Sequence, residues 1–232
     1  MYSHPVHPML TWFDLGVYND AGELVRHSPG RLYTWRLFPG IKFTYTPFAA
    51  LVFAGTSMLR WHLLSWSMTI TSIIAVPLAS WLTFGGLGWR GTRRAAASLA
   101  VGAAALWTEP VQRALHLGQI ELVLMLLIVW DLCQPDRRRW KGAGVGLAAG
   151  IKLVPLIFIP YLLLAGRLRQ AAVAACTFAV TAVVGFLFLP KVSASYWLTG
   201  YFLRPGNTGS VGALVDQSIL GFLTRTIGTL AG

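Results

Sequence analysis

Six apolar runs, separated by Gly, Pro and Arg, fill the middle of the chain at about 46–60, 63–85, 95–107, 119–133, 143–165 and 171–189. The chain has 232 residues, 55% hydrophobic and 12% charged. That is about half the charge of an ordinary soluble domain, and the mean hydropathy is +0.60. Lipid offers the backbone no water, so a spanning segment of this kind closes its hydrogen bonds within a helix. The expected fold is all-α, a polytopic transmembrane helical bundle with about six apolar spans. Several runs fall short of the ~20 residues that cross a bilayer. Short runs imply tilted, broken or re-entrant helices, which persist where they line a cavity. No repeat or low-complexity tract breaks the series, so one membrane domain is expected.

The net charge is +11, from 19 basic and 8 acidic residues. On a soluble protein that excess would point to nucleic acid. Here the bases lie in short clusters between apolar runs: Arg90/Arg93/Arg94, Arg137/Arg138/Arg139/Lys141 and Arg167/Arg169. That pattern fits cytoplasmic loops and lipid headgroups, with no nucleic-acid partner. The positive-inside rule puts all three clusters on one side. The second and third are separated by a single run, 143–165, with Lys152 and Pro155 in its middle. A run that dips and returns at Lys152 satisfies the rule. Full crossing by all six runs violates it, and the sequence leaves both arrangements open. Cys133 and Cys176 lie in apolar runs and read as buried thiols. The first residues, "MYSHPVHPML", lack the basic-then-apolar pattern of a secretory signal. The chain starts in a loop and reads as a piece of a longer membrane protein.

Two segments outside the runs are polar and aromatic. Residues 1–44 are expected to form a loop with short helices, 45–190 the transmembrane region, and 191–232 a second loop with an amphipathic helix near 211–227. Three of the 8 acidic residues, Asp14, Asp20 and Glu23, sit in the first loop. Asp20 reads as an N-cap with Glu23 as its capping-box partner. Asp14, between Phe13 and Leu15, sits at a membrane boundary. A partly desolvated carboxylate there suits a general base, although most loop aspartates are caps or surface groups.

Between two runs, Glu109, Arg113, His116, Gln119 and Glu121 form a polar knot. An interfacial turn is the plain explanation. Gln119 and Glu121, however, lead straight into an apolar helix where idle polar groups are costly, so a hydroxyl-binding pocket fits better. The His and Glu spacing matches no metal motif. Asp131 reads as a partner of the nearby arginines at the membrane surface. Lys152 is either a snorkelling lysine or a phosphate ligand. Arg204, Asn207, Asp216, Gln217, Ser218 and Arg225 suit sugar or phosphate binding as well as ordinary helix caps.

"FDLGVY", "FTYTPFAALV", "EPVQRALHLGQIELVLMLLIVWDL", "GVGLAAGIKLVPLIFIPYLL" and "DQSILGFLTR" occur in this order. Together they resemble glycosyltransferase family 87, the polyprenol-phosphate-mannose-dependent α-(1→2)-mannosyltransferases of actinobacteria, of the GT-C class. Two positions depart from the family pattern: Glu121 stands for the expected Asn, and Asp216 for a frequent Asn. Family members are longer at both ends. The resemblance implies a GT-C-like bundle with two large extracytoplasmic loops. It implies mannose transfer from polyprenyl-phosphate-mannose to a mannosylated lipid or glycan acceptor of the phosphatidylinositol mannoside, lipomannan or lipoarabinomannan type. It places Asp14 as catalytic base. Lys152, Arg204 and Arg225 are then donor-phosphate ligands, and Tyr45, Gln119, Glu121, Gln217 and Ser218 sugar or acceptor ligands. It calls for no cofactor and no metal, and for a multi-pass cell-membrane protein with its active face outside. A transporter or lipid flippase, or an inactive fragment of the transferase, is the competing expectation, since broken helices with a midplane lysine occur in transporters too.

Overall fold

The computed structural model describes residues 10–37, 41–203 and 226. Apart from a small antiparallel hairpin, β1 (Arg36–Leu37) and β2 (Ile41–Lys42), its regular elements are helices. Ten are α-helical: α1 (Phe13–His27), α2 (Pro47–Thr56), α3 (Trp61–Gly86), α4 (Gly91–Ala105), α5 (Glu109–Leu117), α6 (Glu121–Leu132), α7 (Ala143–Ile151), α8 (Phe158–Leu164), α9 (Leu168–Phe188) and α10 (Pro190–Leu198). Among the described residues α3 and α9 are long and apolar enough to cross a bilayer, and α5 with α6 would add a third, broken span bent by 118°. The run at 46–60 gives only the ten-residue α2, too short to cross.

α1 starts earlier than the capping pattern suggests. Asp20 lies in its middle and caps nothing at its start, and Glu23 falls within the same helix. The helix begins at Trp12, whose backbone is left-handed (φ 46°). For a bulky L-residue this conformation costs on the order of 1–3 kcal/mol and is held only where its surroundings dictate it. They do so here. The amides of Thr11 and Trp12 both donate to the His116 carbonyl at 3.0 Å. The Trp12 indole donates to Thr69 Oγ1 at 3.0 Å. Gly118, in the left-handed turn that ends α5, packs so closely that a Cβ there would meet Leu15 and Trp12 at 2.9 and 3.1 Å. The start of α1 is thus docked on the α5–α6 elbow. Its body packs on α2 through Gly22, whose Cβ would meet the Phe53 carbonyl oxygen at 2.2 Å, and through Tyr18 stacked on Phe53.

α7 lies against α9 along Gly142, Gly146 and Gly150, one residue per turn. A Cβ on Gly142 would meet the Gln170 oxygen at 2.2 Å, and one on Gly146 the Ala174 oxygen at 2.3 Å. The two backbones touch because these positions carry no side chain. Asp131, fully buried, accepts from the Gly142 and Val145 amides at 2.9–3.2 Å and so caps the start of α7. It therefore does not pair with the arginines at the surface: a carboxylate is better satisfied by the orphan amides and positive end of a helix. Cys133 and Cys176 are exposed, not buried.

The helix α7 stops at Ile151, and the chain breaks at Lys152 and passes through a 3₁₀ turn (Val154–Ile157) into α8. By Arg167 it has returned to the end from which α7 started: Arg167 lies 3.7 Å from Asp136, and Arg169 donates to the Asp136 carbonyl. Cys133 sits 4.0 Å from the Cβ position of Gly86, beside Arg94. All three basic clusters therefore meet at one end of the molecule, as the dip-and-return reading requires. The helix of residues 211–227 expected from the sequence lies outside the described residues, save Thr226.

Candidate active site

At the opposite end, the first turn of α1, the start of α6, the break after α7 and the segment 42–45 enclose a cleft of about 470 Å³. Asp14, Tyr45, Gln119, Glu121 and Lys152, all singled out from the sequence, line it. Each is delivered by a local rule. Asp14 sits in the first turn of α1, where the helix dipole favours a negative charge. Glu121 does the same on α6. Gln119 follows the Gly118 turn, and Lys152 is the first residue past α7.

The side chains form a connected network. Gln119 Nε2 donates to Asp14 Oδ2 at 2.5 Å. Lys152 pairs with Glu121 Oε1, each being about a third exposed, and its ammonium lies 5.5 Å from the Tyr45 ring centroid. The Tyr18 and Tyr45 hydroxyls are 2.7 Å apart. Burial pushes the Tyr18 phenol up, so it stays protonated and able to donate. Burial also raises the Asp14 carboxyl above its ordinary value, with Glu121 adding to the rise. The Gln119 hydrogen bond opposes it, as do the charges of Lys152 and Arg113. The second oxygen of Glu121 is buried and has no hydrogen-bond partner.

No acidic residue stands near Lys152 in the sequence. Its partner Glu121 stands 31 positions away, which only the α6–α7 packing reveals. The polar knot is also divided. Gln119 and Glu121 enter the cleft, whereas Glu109, Arg113 and His116 line a separate open groove beside α5. Arg204, Arg225, Gln217 and Ser218, together with Asn207 and Asp216, lie outside the described residues.

Lys42, Tyr18, Thr44, Tyr196 and Phe202 also line the cleft and were not foreseen. Lys42 and Thr44 face it from either side of Phe43, which is fully buried. Three tyrosines hold the segment that follows Lys42 by its carbonyls. Tyr201 donates to Phe43 O at 3.1 Å, Tyr196 to Thr44 O at 3.4 Å and Tyr33 to Tyr45 O at 2.9 Å. Each such bond contributes about 0.5–1.5 kcal/mol net. Together they fix the rim from three directions.

Residues 43–231 match the model of glycosyltransferase family 87. The chain is 32% identical over 221 residues to a polyprenol-phosphate-mannose-dependent alpha-(1-2)-phosphatidylinositol mannoside mannosyltransferase of Mycobacterium tuberculosis, covering 90% of this chain and 50% of the relative. It is also 32% identical over 230 residues to the corresponding pentamannoside mannosyltransferase of the same species, covering 94% of this chain and 51% of that one. A Mycolicibacterium smegmatis phosphatidylinositol mannoside mannosyltransferase is 32% identical over 229 residues, 91% of this chain and 52% of its own. The chain spans about half the length of the curated relatives it matches. No solved structure matches it. On this match over most of its residues, the chain belongs to glycosyltransferase family 87.

Proposed function

We propose that the cleft transfers mannose from a polyprenyl-phosphate-mannose donor to a mannosylated lipid or glycan acceptor of the phosphatidylinositol mannoside or lipomannan type. The observation that carries this reading is Asp14: a half-buried carboxylate oriented by Gln119 in a cleft that also holds cations, at the end of the helices away from the basic clusters. Asp14 takes the proton of an acceptor hydroxyl as its oxygen attacks the anomeric carbon. The bond from that carbon to the phosphate oxygen breaks, and polyprenyl phosphate leaves with the electron pair. Cationic groups lower the cost of the leaving charge; Lys152, Arg204 and Arg225 are the residues proposed for it. Tyr45, Gln217 and Ser218 are proposed for sugar hydroxyls. Gln119 orients the base as well as the acceptor, and the unpartnered oxygen of Glu121 accepts from a hydroxyl.

A lipid-linked donor requires the site to lie at a membrane face. We therefore place residues 1–44 and 191–232 outside the membrane and 45–190 within and beneath it, in a GT-C-like bundle of the cell membrane. In it α3 and α9 cross, the shorter α4 and the bent α5–α6 pair run between the same two ends, and α7–α8 dips and returns. The three basic clusters then face the cytoplasm, in line with the positive-inside rule, and the cleft opens extracytoplasmically. Single cysteines at the exposed Arg31, Lys191 and Arg138, with both native cysteines replaced by Ser, test this. An impermeant thiol reagent should label the first two in intact cells and spare the third; the reverse pattern would overturn the arrangement.

The pH profile of mannose transfer tests the base. Asp14 is competent when ionised, and burial raises its pKa. Activity is therefore lost, as pH falls, at a value above the ~3.9 of an ordinary aspartate. Gln119 stabilises the ionised form, so Gln119→Leu should move this acid limb to higher pH. Glu121→Gln removes a like charge and leaves Lys152 beside Asp14, so it should move the limb to lower pH. Two shifts in the same direction, or none, would remove Asp14 from the role.

A further inference from the structure

We propose that Lys42 is the residue that grips the phosphate of the lipid-linked donor. The inference rests on the transferase reading and moves the main phosphate contact away from Lys152. Its basis is the charge balance of the cleft. The described ionised groups lining it are Asp14, Glu121, Lys152 and Lys42. Lys152 is already committed: it carries Glu121 and leans over the Tyr45 ring. To take a phosphate it would have to leave Glu121 unpaired in a half-buried place. Lys42 lines the same cleft, is only partly exposed, and has no ion-pair partner among the described residues.

Position argues the same way. Lys152 is close enough to Asp14 to stabilise its charge. In a displacement at the anomeric carbon, the incoming hydroxyl and the leaving phosphate oxygen lie on opposite sides of that carbon. A phosphate bound directly by Lys152 would crowd the side where the base works, so Lys152 acts on the leaving charge only at longer range. Lys42 comes from a different wall, the hairpin rim, paired through β2 to Arg36 in β1. The residues after it are held by the three tyrosine hydroxyls, so the backbone that carries Lys42 is anchored on the cleft wall. Thr44 beside it offers a hydroxyl, and Tyr196 and Phe202 add aromatic surface. A monoanionic phosphodiester with an apolar tail fits a lone ammonium next to such a surface.

The test compares Lys42→Gln, Lys42→Arg and Lys152→Gln in membranes containing matched amounts of protein. Two readouts are used: mannose transfer across donor concentrations, and binding of decaprenyl phosphate to the Asp14→Asn chain with and without each change. Lys42→Gln should raise the donor KM at least about tenfold and weaken decaprenyl phosphate binding to match, with acceptor KM unchanged. Lys42→Arg should restore both to within about threefold, which excludes a folding defect. If Lys42→Gln leaves donor KM and binding at wild-type values, the proposal is overturned, whatever Lys152→Gln does. If the chain transfers no mannose, the transferase reading fails, and decaprenyl phosphate binding alone still decides whether Lys42 holds a prenyl phosphate.

Discussion

Asp14→Asn is expected to abolish, or nearly abolish, mannose transfer while leaving the amount of protein in the membrane unchanged. Asn nearly matches the shape of Asp and can accept a hydrogen bond through its oxygen, so the Gln119 contact survives. It cannot take the proton of the acceptor hydroxyl. General-base contributions of roughly 10²–10⁴-fold set the expected scale. Two internal controls come from the same helix. Asp20 and Glu23 do not line the cleft, and both belong to the body of α1, so Asp20→Asn and Glu23→Gln should lower the rate little. Transfer by the three variants at matched protein levels is the measurement. Substantial activity in Asp14→Asn together with a dead Asp20→Asn would mean that the wrong carboxylate was chosen.

Gly146→Leu should destabilise the packing of α7 on α9, the helix pair that delivers Lys152 to the cleft. Even the first carbon of a side chain at this position would lie 2.3 Å from the Ala174 carbonyl oxygen and 3.0 Å from the Phe178 amide nitrogen. These are backbone atoms that cannot rotate away. Overpacking of this kind costs typically 1–3 kcal/mol, occasionally more, which for a chain of this size lowers the melting temperature by roughly 2–12 °C. Because Lys152 is the first residue beyond α7, pushing α7 off α9 also moves the Lys152–Glu121 pair, and transfer should fall with stability. Gly55→Ala is the counter-case. Gly55 lies in α2 with nothing within 4 Å of its Cβ position, and replacing glycine inside a helix is expected to gain about 0.5–1 kcal/mol. Thermal unfolding of the detergent-solubilised variants decides. A Gly146→Leu chain that melts with the wild type would mean that α7 and α9 are not in contact.

Much of the site was legible because acidic residues are so scarce in this chain. Asp14 and Glu121 could be singled out before any helix was placed, and Gln119 followed from its seat at the mouth of an apolar run. A turn of the chain at Lys152 was one of two arrangements open to the sequence: a lysine and a proline inside one run favour a break, but whether the run returns or crosses depends on packing that no local pattern carries. What the sequence could not carry was partnership across long separations. Glu121 neutralises Lys152 only through the packing of α6 near α7. Asp131 looked like a neighbour of the arginines that follow it, yet it turns to orphan amides eleven positions on. The start of α1 was misplaced for a similar reason. Local capping chemistry pointed to Asp20, whereas the true start is imposed by the His116 carbonyl, more than a hundred residues away. Lys42 carried no signal in the sequence, being one base among several in a loop. Only its place on the cleft wall separates it from Arg26 or Arg31.

The three tyrosine hydroxyls that hold residues 43–45 also set a clock. Tyr33 is made before that segment, but Tyr196 and Tyr201 follow it by 152 and 158 positions. At the ~5–20 residues per second of synthesis, two of the three fastenings arrive about 8–30 s after the rim they fasten. Until then the wall bearing Lys42 and Tyr45 is held from one side only. Asp14 waits too, since Gln119 comes 105 positions after it. The polar groups of the cleft therefore wait unassembled, and its rim is fully fastened only when α10 and the turn after it have been made.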